Sequence, residues 1–201
     1  MTVMADSSSG GVRGVPGPAD RDGPPPIQRS AAPGAWDFAD IVSAYQDRLM
    51  RLAHRLLGWQ DGAEDVVQEV FLAALKALPN FNGRSSLGTW LTAITVNKCR
   101  NHRRKNLLWM KFLAGARDGP PGRVEAGPAN VGAQRERARR LRQAVQDLPG
   151  KYREVTVLRY LEEMPIAEIG EVLGLGRGAV DVRLHRARSR LKDALNGLIE
   201  E

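Results

Sequence analysis

Pro165-Ile166-Ala167-Glu168-Ile169-Gly170-Glu171-Val172-Leu173-Gly174-Leu175-Gly176-Arg177-Gly178-Ala179-Val180-Asp181-Val182-Arg183-Leu184-His185-Arg186-Ala187-Arg188 reads as two short helices meeting at a corner. Pro165 suits the first position of a helix, where its missing N–H costs nothing. Ile166, Ile169, Val172 and Leu173 then give that helix one apolar face. Gly174 allows a left-handed turn, and Leu175 can plug the angle between the helices. The second helix repeats its apolar residues at Val180, Leu184, Ala187 and Leu191, while Arg177, Arg183, His185, Arg186, Arg188, Arg190 and Lys192 occupy its other faces. This is the layout of a helix-turn-helix, with a basic second helix of the right diameter for a major groove. The competing reading is a helical hairpin whose basic face is only solvated. The tight turn, the plugging leucine and the one-sided basicity together favour DNA.

Upstream, the chain continues as helices. Asp37 is a candidate N-cap for a helix carrying Phe38, Ile41, Val42, Tyr45, Leu49, Leu52, Ala53 and Leu56 at helical spacing, ended by residues 58–62. Further helices are expected at about 63–78, 86–106, 134–148 and 152–161, followed by 165–173 and 177–195, with Pro79-Asn80 and Pro149-Gly150 as breaks. No period-two alternation is long enough for a strand. The helix at 86–106 buries Leu87, Trp90, Leu91 and Ile94. Its second half, Asn97-Lys98-Cys99-Arg100-Asn101-His102-Arg103-Arg104-Lys105, holds five basic residues and no acid. Cations suit a helix C-terminus, but this many in so short a run points to phosphates, and Asn and Arg are also the types that read base edges.

The helix at 63–78 has a different character. Ala63, Val67, Val70, Phe71, Ala74 and Leu78 make its core face, and Asp65, Gln68, Glu69, Leu72 and Lys76 lie opposite. An acidic stripe would repel DNA, so its natural partner is a basic protein surface. Ordinary acidity at a helix N-terminus beside one stray exposed leucine explains the same residues equally well.

The whole chain has 201 residues and a formal charge of +7, consistent with a polyanionic partner. No apolar run approaches the roughly 20 residues of a membrane span, and no signal peptide is recognisable. Residues 1–35, rich in Ser, Gly, Pro and Ala, are expected to be a disordered tail. Residues 113–132, again rich in Gly and Pro, read as a flexible linker. The fold class expected is all-α: an N-terminal helical bundle at 36–112 and a C-terminal helix-turn-helix domain at 133–198. A lone Cys99 excludes an intrachain disulfide, and His54, His102 and His185 are scattered, so neither a metal nor a cofactor is expected. Cys99 lies between Lys98 and Arg100, which would lower its pKa if it were reactive; a small packing residue is the plainer reading. No nucleophile converges with a base and no nucleotide-binding Gly loop occurs, so catalysis is not expected.

In this order the elements resemble the extracytoplasmic-function (ECF) group of RNA polymerase sigma factors, from about Phe38 to Leu195. Ala63-Glu64-Asp65-Val66-Val67-Gln68-Glu69-Val70-Phe71 is similar to the family's core-binding helix, which docks on the clamp of the polymerase largest subunit. The resemblance implies that role for Asp65, Gln68, Glu69 and Leu72. Phe81-Asn82-Gly83-Arg84-Ser85-Ser86-Leu87-Gly88-Thr89-Trp90-Leu91 resembles the segment that captures the melted minus-ten element. It implies minus-ten contacts from Asn80, Phe81, Asn82, Gly83, Arg84, Asn97, Arg100, Asn101, Arg103 and Arg104. The stretch from Leu148-Pro149 to Arg188 resembles the domain that reads the minus-thirty-five element, through Arg177, Asp181, Val182, Arg183, His185 and Arg186. Further implications are a cytoplasmic factor that contacts double- and single-stranded promoter DNA, and an anti-sigma partner of the kind that holds relatives inactive.

Two positions depart from the family pattern. Where relatives run Gly-Thr-Val-Lys-Ser-Arg after a Ser cap, this chain has Gly176-Arg177-Gly178-Ala179-Val180-Asp181-Val182-Arg183. Asp181 replaces a base, and a carboxylate can accept from a cytosine amino group. The second is Gly88, where relatives often have a longer polar residue. Two rivals remain from the residues alone: a stand-alone helix-turn-helix repressor, and a DNA-joining enzyme such as a recombinase.

Overall fold

The computed structural model describes residues 37–58, 62–114 and 133–196. The expected tail at 1–35 and the linker residues 115–132 lie outside them. Every regular element among the described residues is helical, as the apolar spacing requires. Asp37 caps α1 (Phe38–Leu57), its Oδ1 accepting from the Ala39 N–H at 2.9 Å. The helix ends at Gly58 in the left-handed conformation (φ 87°), whose N–H reaches the His54 carbonyl. Ile41, Tyr45, Leu49, Leu52, Ala53 and Leu56 are buried as their spacing predicts, and Leu57 joins them.

α2 (Ala63–Ala77) hands over to a 3-10 turn at Leu78–Asn80. Leu78 therefore belongs to the turn and not to the helix, because Pro79 has no N–H with which to continue the ladder. Ser86 caps α3 (Leu87–Ala114), its Oγ accepting from the Thr89 N–H at 3.0 Å. α3 runs past the expected end at Asn106 and through the first two residues of the expected linker. Residues 107–114 are mostly good helix formers, and no Gly or Pro interrupts them before Gly115.

In the second group, α4 (Ala133–Asp147) turns sharply into α5 (Gly150–Thr156). Buried Arg153 holds this corner by donating to the carbonyls of Val145, Gln146 and Leu148 at the end of α4, where carbonyls lack a full set of helical partners. The expected helix at 152–161 is not uniform: it passes from α5 into a π turn at Val157–Leu161. That turn closes with the Glu162 N–H on the Val157 carbonyl and Glu163 in a left-handed conformation, φ 54°. α6 (Ile166–Leu173) starts one residue later than expected, with Pro165 as N-cap. Gly174 (φ 67°) turns the chain into α7 (Arg177–Asn196).

The helix-turn-helix depends on Gly170. The Leu175 N–H donates to the Gly170 carbonyl at 2.8 Å, and a Cβ on Gly170 would stand 2.7 Å from the Leu175 carbonyl oxygen. Only hydrogen fits there. Gly88, the other departure noted in the sequence, is buried against Tyr45 and Arg48 of α1, 3.3 Å from where its Cβ would be. A side chain there would need Tyr45 and Arg48 to give by a few tenths of an ångström.

The two helical groups pack against each other. A single core runs from Ile41, Leu49 and Leu52 of α1 through Leu91, Val96 and Cys99 of α3 to Val155, Leu158, Ile169 and Leu184. Leu148, Tyr152 and Ala187 form a smaller cluster at the far side.

Two expectations follow from this packing. Gly170→Ala forces a backbone shift at the corner and is expected to cost about 1–3 kcal/mol, whereas Gly178→Ala, with open space around its Cβ, leaves stability unchanged or slightly raised; urea denaturation of both variants compares them. Cys99 is buried, and desolvation first of all pushes its thiol up from 9.0 to about 12, with Arg103 opposing and Glu154 adding. Between those values the unfolded chain binds fewer protons than the folded one, so the thiol makes stability fall as pH rises, by about 1.4 kcal/mol per unit. Denaturation curves of wild type and Cys99→Ala should converge at that slope above about pH 9; parallel pH profiles would contradict it.

Candidate polymerase and nucleic-acid interfaces

α2 is pinned on one side by Val66, Val67, Val70 and Ala74, all buried. That leaves Asp65, Gln68, Glu69 and Leu72 together on its solvent side, as the spacing predicted. Leu72 is 59% exposed, and Leu75 beside it, which sequence reasoning missed, is also open to solvent. The one signal for Leu75 was its position one helical turn from Phe71, on the margin of the core face. Glu69 is not a lone charge: Lys98 of α3 donates to it at 3.0 Å. That hydrogen bond, followed by the Lys98 charge, holds the Glu69 carboxyl below its ordinary pKa. The stripe therefore has an anionic end at Glu64 and Asp65 and an apolar end at Leu72 and Leu75.

The loop before α3 is shaped locally. The Phe81 N–H closes the 3-10 turn on the Leu78 carbonyl at 3.0 Å. Asn82 Oδ1 accepts from the Arg84 N–H at 3.2 Å, and Gly83 between them takes φ 70°. Phe81 tilts against Trp90 with ring centroids 5.0 Å apart, which anchors the loop on α3. Asn80, Asn82, Gly83 and Arg84 are exposed at its tip, and Phe81 is half-buried.

Along α3, Thr92, Thr95, Val96 and Cys99 face inward, with Thr92 and Thr95 donating back to the carbonyls of Gly88 and Leu91. Asn97, Asn101 and Arg104 therefore point to solvent. Arg103 and Arg100 do not sit with them as free cations. Arg103 is half-buried and donates to the Leu56 carbonyl at 3.0 Å, closing the C-terminus of α1. Arg100 turns toward α5 and grips Glu154 with Nε and Nη2, on one edge of its guanidinium, at 2.8 and 2.7 Å, while Nη1 donates to Asn97 Oδ1 at 3.1 Å. Beyond the basic run, α3 carries Leu107, Leu108, Trp109 and Phe112, all exposed, with the two rings stacked 5.9 Å apart.

On α7, burial of Val180, Leu184 and Ala187 presents Arg177, Asp181, Val182, His185 and Arg186 to solvent, with Arg183 half-buried at the edge. The face includes residues no sequence argument found. Lys151 and Tyr152 at the start of α5 line one shallow cleft with Gly178, Ala179, Val182, Arg183 and Arg186. The Lys151 ammonium and Arg190 guanidinium lie 5.1 and 5.4 Å from the Tyr152 ring centre, within cation–π range. A hydrogen bond from Arg186, then the charges of Lys151, Arg186 and Arg190, hold the Tyr152 hydroxyl below its ordinary pKa. The cleft is thus largely apolar with cations around it, which suits a sugar-phosphate edge. Among the described residues, no group of His, Cys, Asp and Glu could hold a metal ion, and no helix is long and apolar enough to cross a membrane.

Known proteins carry the same two units in the same order. Residues 41–107 match the Sigma-70 region 2 family, and residues 138–191 match Sigma-70, region 4. The ECF RNA polymerase sigma factor SigW of Bacillus subtilis is 33% identical over 168 residues, covering 80% of this chain and 90% of that protein. The sigma factor RpoE of Bartonella quintana, solved with the anti-sigma factor NepR, superposes with a TM-score of 0.63 over 80% of this chain and 97% of that one, at 24% identity, which speaks for the fold. CnrH, solved with the cytosolic domain of CnrY, gives a TM-score of 0.57 at 28% identity, over 80% and 88% of the two chains. With region 2 built on α1–α3, region 4 built on α4–α7, and a relative matched along nearly its whole length, the chain belongs to the ECF RNA polymerase sigma factors.

Proposed function

We propose that this sigma factor, which binds RNA polymerase core and directs it to promoters, divides the work among three surfaces. Asp65, Gln68, Glu69 and Leu72 on α2 dock on the clamp of the polymerase largest subunit. Asn80–Arg84 and the solvent side of α3, with Asn97, Asn101 and Arg104, hold unpaired bases and phosphates of the minus-ten element, helping it melt, and the half-exposed Arg100 joins them from the edge of that side. Bases already out of the stack are captured by pocketing and by cationic and aromatic neighbours. Arg103 contributes chiefly by fixing α3 to α1. Arg177, Asp181, Val182, Arg183, His185 and Arg186 on α7 enter the major groove of the minus-thirty-five element, with Lys151 and Tyr152 flanking its backbone.

The observation that carries this reading is the separation of chemistries. An acidic and apolar stripe lies on α2, while cations and amides lie on α3 and α7, all solvent-facing because the core fixes the opposite sides of those helices. The protein acts as an initiation factor and supplies no covalent chemistry of its own. Its place of work is the cytoplasm, where polymerase and promoters are. An anti-sigma partner is part of this reading; a neighbour in fold was solved with the anti-sigma factor NepR.

Run-off transcription with core polymerase on a library of randomised promoters tests the assignment. Discrete transcripts are expected with the wild-type chain and are expected to fall at least tenfold with Asp65→Lys/Glu69→Lys. Asp181→Lys is expected to change the selected upstream element while leaving the minus-ten element as it was. Transcripts indifferent to all three substitutions would overturn the assignment, and duplex binding without any core-dependent transcript would favour the repressor.

A further inference from the structure

The solvent side of α7 is basic at its margins and apolar at its centre. Val180, Leu184 and Ala187 are buried along one side of the helix, and helical periodicity puts Val182 near the middle of the opposite side. Val182 is 51% exposed there, and Gly178 and Ala179 beside it are exposed as well. A side chain at that position reaches deepest when the helix lies in a major groove. Valine has neither donor nor acceptor, so it makes no hydrogen bond with a base edge.

Packing within the chain does not call for glycine beside it. A Cβ on Gly178 would meet nothing within 4 Å, and glycine is a poor choice for a helix. What Gly178 does is leave the approach to Val182 open. Gly178, Ala179 and Val182 line one cleft with Tyr152, Lys151 and Arg186. Its surface is mostly hydrocarbon, with cations at the side, so it fits an occupant that carries an apolar group close to negative charge. The major groove of duplex DNA holds one such feature: the 5-methyl group of a pyrimidine, lying near the phosphate backbone. Thymine carries that methyl, and so does 5-methylcytosine. Unmodified cytosine, adenine and guanine have none.

We propose that this cleft is a 5-methyl reader: Val182, with Ala179 beside it and Gly178 leaving the approach open, packs against the 5-methyl group of one pyrimidine in the minus-thirty-five element, while Lys151 draws in the adjacent phosphates. This rests on the minus-thirty-five role given to α7. It adds that one position of the element is chosen by an apolar contact and not by a hydrogen bond. A base without the methyl leaves Val182 facing a gap, so the preference is a packing preference and is worth about as much as one buried methyl group.

The test uses holoenzyme assembled from the full chain and core polymerase, on a promoter selected from the randomised library. Each thymine of the upstream element, on either strand, is replaced in turn by deoxyuridine, which pairs identically and lacks only the methyl. At one position this is expected to weaken binding, measured by competition, about threefold or more. In a second arm each cytosine of the element is replaced by 5-methylcytosine; a gain of about threefold at one position identifies that base, in place of thymine, as the source of the methyl. With Val182→Ser the methylated and unmethylated forms are expected to bind alike, and with Val182→Ile the preference is expected to persist. Gly178→Val, which fills the approach from the side, is expected to lose the preference too, so the comparison does not hang on one variant. No such response to either base change, or a response that is undiminished in both Val182→Ser and Gly178→Val, would overturn the proposal. Promoters selected with no upstream element at all would overturn the minus-thirty-five reading itself, which is scored before any methyl is removed, so the two failures are separately visible.

Discussion

Leu91, Thr92, Thr95, Val96 and Cys99 lie along one side of α3, and burying that side against α1, α2 and the C-terminal helices dictates where everything else on the helix points. Helical periodicity allows no independent choice: once those positions are inside, Asn97, Asn101 and Arg104 must be outside. The loop ahead of the helix is fixed by the same packing, because Phe81 leans on Trp90 and Ser86 caps the first turn. α1 is tied to it through Arg103, and α2 through the Lys98–Glu69 pair. A change that tilted α3 would therefore move the docking stripe and the strand-binding face together.

Charge is distributed with the same economy. The net +7 of the chain is not a uniform basic coat. Cations gather on α3 and α7, whereas acids gather on the first turn of α2 and on the helices of the C-terminal half that face α1 and α3. The first arrangement lets one small protein address a protein surface and a nucleic acid without the two attractions competing. The second places carboxylates of the C-terminal half opposite guanidinium groups of the N-terminal half.

Much of this was legible in the residues. Asp37, Gly58, Pro79 and Gly174 marked helix ends because each has a local reason to do so, namely a side-chain acceptor, a left-handed conformation or a missing N–H. The inward faces of α1 and α7 followed from spacing alone, and the tight corner between α6 and α7 followed from Gly174 and Leu175. What failed was non-local or cooperative. The end of α3 was placed at about Asn106, although nothing in residues 107–114 breaks a helix. The π turn has no sequence signature, and the contacts of Arg55 and Arg48 with Glu162 at its end are made only in space. Arg100 and Arg103 were assigned correctly to a basic helix, yet their engagement by Glu154 and the Leu56 carbonyl depends on how α3 packs against its neighbours, which periodicity does not report. Lys151 and Tyr152 escaped notice because they precede the helix-turn-helix and join its face only in space.

The central claim is that the Asn80–Arg84 loop and the solvent face of α3 hold an opened strand. Permanganate, which oxidises unpaired thymines, reads this directly on a selected promoter in the presence of core polymerase. The account predicts reactive thymines confined to the minus-ten region with the wild-type chain, and their loss, at undiminished core binding, with Asn82→Ala/Arg84→Ala. Thymines that stay equally reactive with that variant, or none reactive with the wild type, would contradict it.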